Sequence, residues 1–435
     1  MNSALLPNLY NLLSVVALPF AILYHWYRSI SRGRKSAFAE RFGILSKKQK
    51  ELIAGQKIIW LHAVSVGEVI AARPLIKGIR TAFPAYRILL TVTTETGREV
   101  AEKDALADMT TYFPFDLCLA VNSLLNIASP KAVIIMETEI WPVFTFQAKK
   151  RRIPLLLANG RISERSFPRY LRFAWFFKPV LDCFSGLGMQ SGADLQRILA
   201  IGAPEERCQV AGNLKYDIPF SAVAPEERQQ LRNYYHIPDD LIILTAASTH
   251  SGEEELLLQV YKEISEQWLN LLLVLVPRHP ERTTEIEVLA GKSGYTVIRR
   301  SSLENKSEFK AAAGMVLLVD TVGELMQIYA FSDLAFVGGS LVPTGGHNLL
   351  EPASRGIPFL FGPYMENFLE IKKMALEYGA GIQVADLGEF KEAVADFIRS
   401  PELRQVIGTN GLKLLRDSGG SVERHLAMLK EVMTQ

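Results

Sequence analysis

The chain has 435 residues, 49% apolar and 22% charged, with a formal net charge of +2. That composition excludes a disordered or low-complexity protein and offers no general basic surface for nucleic acid. The length exceeds one ordinary core, so two domains of about 150–200 residues each are expected. Cys118, Cys183 and Cys208 lie far apart without metal-ligand spacing, which reads as reduced thiols in a cytosolic body.

Leu5 to Tyr27 is apolar and carries no formal charge apart from a partial one on His25. It has about the ~20 residues that a membrane span needs. Tyr24, Trp26 and Tyr27 suit a membrane interface, and Arg28, Arg32, Arg34 and Lys35 follow at once. The positive-inside rule then puts the following body in the cytoplasm. A cleaved signal peptide fits less well, because the stretch lacks a basic start and a small-residue cleavage site. A spanning helix, a helix lying in one leaflet and a buried core helix all remain open. Arg41, Lys47, Lys48 and Lys50 continue a basic run that suits either solvent or anionic lipid headgroups.

From Lys57 to Ser65 the chain is strand-like, and it runs through Val66-Gly67-Glu68 into a helical pattern with Ala72, Ile76, Ile79 and Phe83 on one face. Pro74 suggests that this helix starts late or kinks. Glu68 therefore falls in the loop or first turn after the first strand, either as a helix-dipole partner or as a residue presented to ligand. Further strands are expected at Arg87–Thr93, Ala132–Met136 and Pro154–Leu157, each followed abruptly by polar residues. Apolar runs ending in polar loops indicate a parallel sheet whose ligand edge lies at the strand carboxyl ends. The Arg- and aromatic-rich stretch from Arg161 to Lys178 fits a lipid-facing surface or a packed helix with solvated arginines. Pro219 and the charged Pro225 to Arg228 stretch read as a linker.

The alternation restarts with strands at Leu241–Ala246, Leu271–Val276 and Met315–Val319. Glu253 to Glu255 load a helix N-terminus with acid, which suits its dipole. A strand at Leu334–Val337 then runs into a Gly-rich loop, with Asn348 three residues before Glu351 as in a capping box, and another strand at Ile357–Phe361. Strand, Gly-rich loop, helix and strand in that order favour a phosphate at the helix start. The strand ends together offer Ser, Thr, Arg, His, Gly and Glu, a nucleotide-sized set of donors. There is no Walker loop and no GxGxxG at the first strand, which counts against ATPases and dehydrogenases.

Several longer motifs carry a resemblance. They are Trp60–Glu68 (WLHAVSVGE), Glu137–Pro142 (ETEIWP), Gly212–Asp217 (GNLKYD), Ser248–Glu253 (STHSGE), Val276–Arg282 (VPRHPER) and Phe336–Glu351 (FVGGSLVPTGGHNLLE). In this order, over nearly the whole chain, they resemble the 3-deoxy-D-manno-octulosonic acid (Kdo) transferase family. The resemblance implies an α/β fold of GT-B type, two doubly wound Rossmann-like domains facing a cleft, with an N-terminal membrane-anchor helix. The expected division is an anchor over 1–30, an acceptor-binding domain over 31–220 and a nucleotide-sugar-binding domain over 221–435.

It also implies transfer of Kdo from CMP-Kdo to a lipid A precursor at the cytoplasmic face of the bacterial inner membrane, among phospholipid. By motif, Glu68 is the expected catalytic base, and Glu137 and Lys215 match positions that stabilise the transition state. Pro277, Arg278, Val322, Gly323, Glu324, Asn348, Leu349, Leu350 and Glu351 match donor-contacting positions. No cofactor and no catalytic metal are expected, and no nucleic-acid partner. Two alternatives stay open: a GT-B enzyme acting on a UDP-sugar, and a non-catalytic membrane scaffold with the same fold.

Overall fold

A computed structural model describes residues 10–12, 14–16, 18–20, 22–23, 27, 37–305 and 310–434. The chain forms two compact units, one of Met1–Asp217 with Ser418–Gln435 and one of Ile218–Asp417.

The first unit is built on a parallel sheet. Its strands are β1 (Ile58–His62), β2 (Arg87–Val92), β3 (Met109–Tyr112), β4 (Ala132–Met136), β5 (Leu155–Gly160), β6 (Gly186–Met189) and β7 (Cys208–Val210). They lie in the order β3-β2-β1-β4-β5-β6-β7. Every residue of β1 and β4 is buried, as continuous Ile, Leu and Val runs require when helices cover both faces. The strand order reverses between β1 and β4, so the loops leaving these two strands flank the switch point where such sheets take ligands. The helix after β1 runs unbroken over Val66–Ala82 with Pro74 inside it, so it starts earlier than Pro74 suggested.

The second unit has β8 (Ile242–Thr249), β9 (Leu271–Pro277), β10 (Thr296–Arg299), β11 (Met315–Leu318), β12 (Leu334–Val337), β13 (Phe359–Phe361) and β14 (Gly381–Gln383). They also pair in parallel, in the order β10-β11-β9-β8-β12-β13-β14, and the reversal falls between β8 and β12.

Two expectations about the domain boundaries are corrected. The last segment, placed in the second domain as part of 221–435, returns to the first unit. The helix Ser421–Thr434 buries Met428, Leu429 and Val432 in the first unit's core, over β6, where Gly186 and Gly188 leave room for them. Pro225 to Arg228 is not linker but the start of a helix, Pro225–Tyr234, with Pro225 at the first position, where its missing N–H costs nothing. The expected anchor, Leu5 to Tyr27, falls partly outside the described residues, and those described from Tyr10 to Tyr27 are helical. Among the described residues no helix is long and apolar enough to cross a membrane.

Candidate active site

In the first unit, Glu68 lies in the first turn of the helix after β1 and is 7% exposed. Its Oε2 accepts from the Val64 amide at 2.8 Å and its Oε1 from the Ser65 hydroxyl at 3.1 Å. Burial pushes its carboxyl up to about 7, helped by the negative charges of Glu137 and Glu139 and opposed by the Val64 and Ser65 hydrogen bonds. A carboxylate near neutrality with spare lone pairs is suited to taking a proton.

Glu137 leaves β4 on the other side of the same switch point. Its φ is +54°, a left-handed conformation that a non-glycine residue seldom adopts without a functional or turn constraint. Its amide donates to Ala158 O at 2.8 Å, which fixes the turn. Glu139, two residues on, is raised above the ordinary range by burial and by Glu137. Behind this corner His62 is fully buried and stacks on Phe113 with centroids 3.9 Å apart, and Phe113 meets Trp141 at 5.8 Å. Burial keeps His62 neutral, with its pKa pushed down to about 3.

Lys215 is exposed on the 3-10 turn Leu214–Tyr216. Asn213 Oδ1 accepts the Lys215 amide at 3.0 Å, and the buried Asn159 Oδ1 accepts the Leu214 amide at 2.9 Å. The last helix secures the same loop. Asp217 accepts from the Gly420 and Val422 amides, and Arg424 donates to Ala211 O at 2.9 Å. These supports come from a segment some 200 residues later, so local sequence reading missed them.

In the second unit the loops after β8 and β12 are joined by a residue that the sequence reading assigned to a helix dipole. Glu253 is fully buried, and its carboxylate accepts from the amides of Gly339, Ser340 and Leu341 at 2.7, 3.0 and 2.9 Å. It also accepts from the His250 amide at 3.0 Å. One carboxylate thus shapes the Gly-rich loop from beneath. Gly338 is required there, because a Cβ would come within 2.6 Å of Ser248 O.

The helix after the loop is Leu350–Ser354, one residue later than the capping-box spacing suggested, and Asn348 Oδ1 accepts the Leu350 amide at 3.2 Å. Leu349 and Leu350 are 0% and 1% exposed, so their side chains belong to the core and only their backbone can serve a ligand. Glu351 is raised above its ordinary range by burial, with Arg278 and Asn348 opposing. Pro277 ends β9, and Arg278 points to solvent with no ion pair to the described residues.

Val322 and Gly323 are exposed in the loop after β11, but Glu324 is engaged. It pairs with Arg300 at 2.8 Å and accepts from the Tyr235 hydroxyl. Burial pushes its carboxyl up, and the Tyr235 and Arg300 bonds outweigh this and hold it below its ordinary value. Ser301 donates to Asp320 through its amide and hydroxyl at 2.9 and 2.6 Å, clamping the other end of the loop. Among the described residues no cluster of three or more His, Cys, Asp or Glu is arranged to hold a metal.

A family model described as 3-deoxy-D-manno-octulosonic-acid transferase (kdotransferase) matches residues 36–218. The 3-deoxy-D-manno-octulosonic acid transferase of Haemophilus influenzae is 35% identical over 97% of this chain and 97% of its own length. The probable mitochondrial enzyme of the same name from Arabidopsis thaliana is 31% identical over 91% of this chain and 89% of its own. Among solved structures, UDP-GlcNAc 2-epimerase from Neisseria meningitidis covers 86% of this chain and 100% of its own at TM-score 0.54 and 14% identity. A glycosyltransferase from Rickettsia africae covers 88% and 100% at TM-score 0.52 and 13% identity. At those identities the structural neighbours speak for the GT-B fold alone. The near full-length relatives carry the assignment: the chain is a glycosyltransferase and belongs to the 3-deoxy-D-manno-octulosonic acid transferase family.

Proposed function

We propose that the protein transfers Kdo from CMP-Kdo to a hydroxyl of the lipid A precursor, with inversion, in lipopolysaccharide biosynthesis. The observation that carries this reading is Glu68, a buried carboxylate held near neutrality at the switch point of the first sheet. In the donor, Kdo is joined to CMP at an anomeric carbon that also bears a carboxylate. As that bond breaks the sugar becomes oxocarbenium-like and the phosphate gathers charge. Glu68 takes the proton of the attacking hydroxyl, a role worth about 10²–10⁴-fold. Arg278 and the amides around Asn348 oppose the charge on the departing phosphate, the preorganised electrostatic contribution. Lys215 holds an anionic group of the reacting sugar, and Glu137 stabilises positive charge on it. Pro277, Val322, Gly323, Leu349 and Leu350 shape the nucleotide site chiefly through backbone, and Glu351 takes ribose hydroxyls.

The same reading puts the enzyme at the cytoplasmic face of the bacterial inner membrane, with phospholipid as a partner. The apolar stretch Leu5 to Tyr27 and the basic run behind it support this. The test is to incubate pure enzyme with CMP-Kdo and a tetraacylated acceptor and weigh the product by mass spectrometry. A mass gain of one or more Kdo units is expected. Thermal protection by UDP-sugars and none by CMP would overturn the donor assignment.

A further inference from the structure

Two histidines meet across the switch point of the second sheet. Nε2 of His250, in the loop after β8, lies 2.8 Å from Nε2 of His347, in the loop after β12. The rings are nearly parallel, 12° apart with centroids at 5.1 Å. At that distance one nitrogen carries a proton and the other accepts it, so the pair is one N–H···N hydrogen bond. The loops hold both rings in place. The His250 amide is tied to Glu253, and Gly339 lies flat against His347, where a Cβ would come within 3.0 Å of the ring.

The charged surroundings are lopsided. From the β8 loop and its helix the pair faces Glu253, and from the end of β9 it faces Arg278, His279 and Arg282. The His279 ring stands edge-on to His250 at 5.7 Å. Burial is the largest influence and lowers both histidines, His347 to about 4; Glu253 opposes this at His250, and the neighbouring cations lower both further. The pair is therefore uncharged at neutral pH. Adding one proton to the bare Nδ1 leaves the central bond intact and charge-assisted, and makes both Nδ1 atoms N–H donors. A nearby anion reverses the balance that keeps the pair neutral.

We propose that His250 and His347 form a proton-gated element for the donor phosphodiester, taking one proton from solvent as the phosphate binds and adding its charge to that of Arg278. This rests on the reading of the second unit as the CMP-donor site. Because the bound form holds the proton more tightly, donor affinity rises as pH falls, by up to about tenfold per pH unit where uptake is complete.

The test uses the full-length enzyme and cytidine 5′-(methyl phosphate), a diester whose charge is constant across the range. Binding is measured by calorimetry from pH 5.5 to 8.5 in buffers of different ionisation heat, with cytidine as the phosphate-free control. The wild type should take up as much as one proton with the diester at the acid end of the range, less as pH rises, and none with cytidine. His250→Gln and His347→Gln should bind with nearly pH-independent affinity and no uptake, whereas His279→Gln should keep it. Binding without uptake by the wild type, or uptake retained in both Gln variants, overturns the proton gate and leaves the donor site standing. No binding of the diester at any pH removes the donor site and the gate together. Should a Gln variant fail to fold, the wild-type proton count decides.

Discussion

Nε2 of His425, on the last helix, accepts the backbone amide of Asn159 at 2.9 Å, so the end of the chain is tied to the end of β5. Asn159 has φ +57° and in turn holds the Leu214 amide ahead of Lys215. His425→Ala leaves a buried N–H without an acceptor, which costs about 1–3 kcal/mol. Lower stability and reduced turnover are expected, with CMP affinity unchanged because the second unit is untouched. Burial holds His425 down to about 4, whereas an unfolded histidine titrates near ~6.5. Its folded pKa is depressed, so stability is full above ~6.5 and falls as pH drops toward 4. Urea unfolding at pH 7.5 and 5 should show His425→Gln losing less on acidification than the wild type, by about 2 kcal/mol.

Glu68→Gln should fold, bind CMP and lose nearly all transfer, and retention of more than about a tenth of wild-type turnover would remove it as the base. The base works ionised and its carboxyl is raised to about 7, so turnover should rise with pH through that value and then level. Glu139 is one of the charges that raise it. Glu139→Gln should therefore move the rising limb to lower pH, and an unmoved limb in a pH–kcat profile would contradict this.

Much of the fold was legible where chemistry is local. Ala132–Met136 and Leu334–Val337 were read with their observed bounds, because an apolar run ended by polar residues has one reading in a parallel sheet. Gly186–Met189, Thr296–Arg299 and Gly381–Gln383 were not, since glycine or charge in a strand of three or four residues dilutes the pattern. Arg278 and Glu68 stood out as charges at strand ends. Glu253 did not, because its carboxylate serves a loop 86 residues later and acid at a helix start already has a local explanation. The return of Ser421–Thr434 to the first unit rests on contacts that no window along the chain contains.

Arg278→Ala should weaken CMP binding far more than acceptor binding. Its guanidinium makes no ion pair with the described residues, so little is lost elsewhere on removal. A charge-assisted bond to phosphate is worth about 1.5–3 kcal/mol, or roughly 10- to 150-fold in affinity. Unchanged CMP affinity by calorimetry takes Arg278 out of the donor site.

Glu324 is expected to act by holding its loop. Arg300 is 2% exposed and lies over the Tyr234 and Tyr235 rings, each centroid 4.9 Å away, with Glu324 as an ionic partner at 2.8 Å. Removing the carboxylate takes away one charge-assisted hydrogen bond of a buried guanidinium, worth about 1.5–3 kcal/mol. Glu324→Ala should lower the melting temperature markedly, and Glu324→Gln, which keeps an acceptor for Arg300, should recover part of the loss. If Glu324→Ala weakens CMP binding at unchanged stability, the carboxylate contacts ligand directly.

The N-terminal segment packs on the first unit. Tyr10 packs on Phe176 with ring centroids 5.9 Å apart, and Asn11 Oδ1 accepts the Cys118 amide at 3.0 Å. Beyond that contact Leu12, Val15, Val16, Phe20, Leu23 and Tyr27 are exposed. Exposed too are Leu171, Phe173 and Trp175, interleaved with Arg169 and Arg172, on and between the helix Phe167–Arg172 and the helix Ala174–Leu181 that carries Phe176. Apolar side chains among arginines suit a lipid interface. Deleting residues 1–27 should therefore lower the stability of the first unit yet leave transfer to detergent-dispersed acceptor. On anionic vesicles the truncated enzyme keeps only basic and aromatic contacts, which salt screens over about 10 Å at 0.1 M. Its activity there should fall steeply between low and high salt, while the full-length enzyme, with its apolar contact, changes little. Inactivity of the truncated enzyme in detergent would instead make the helix part of the catalytic fold and end the membrane reading.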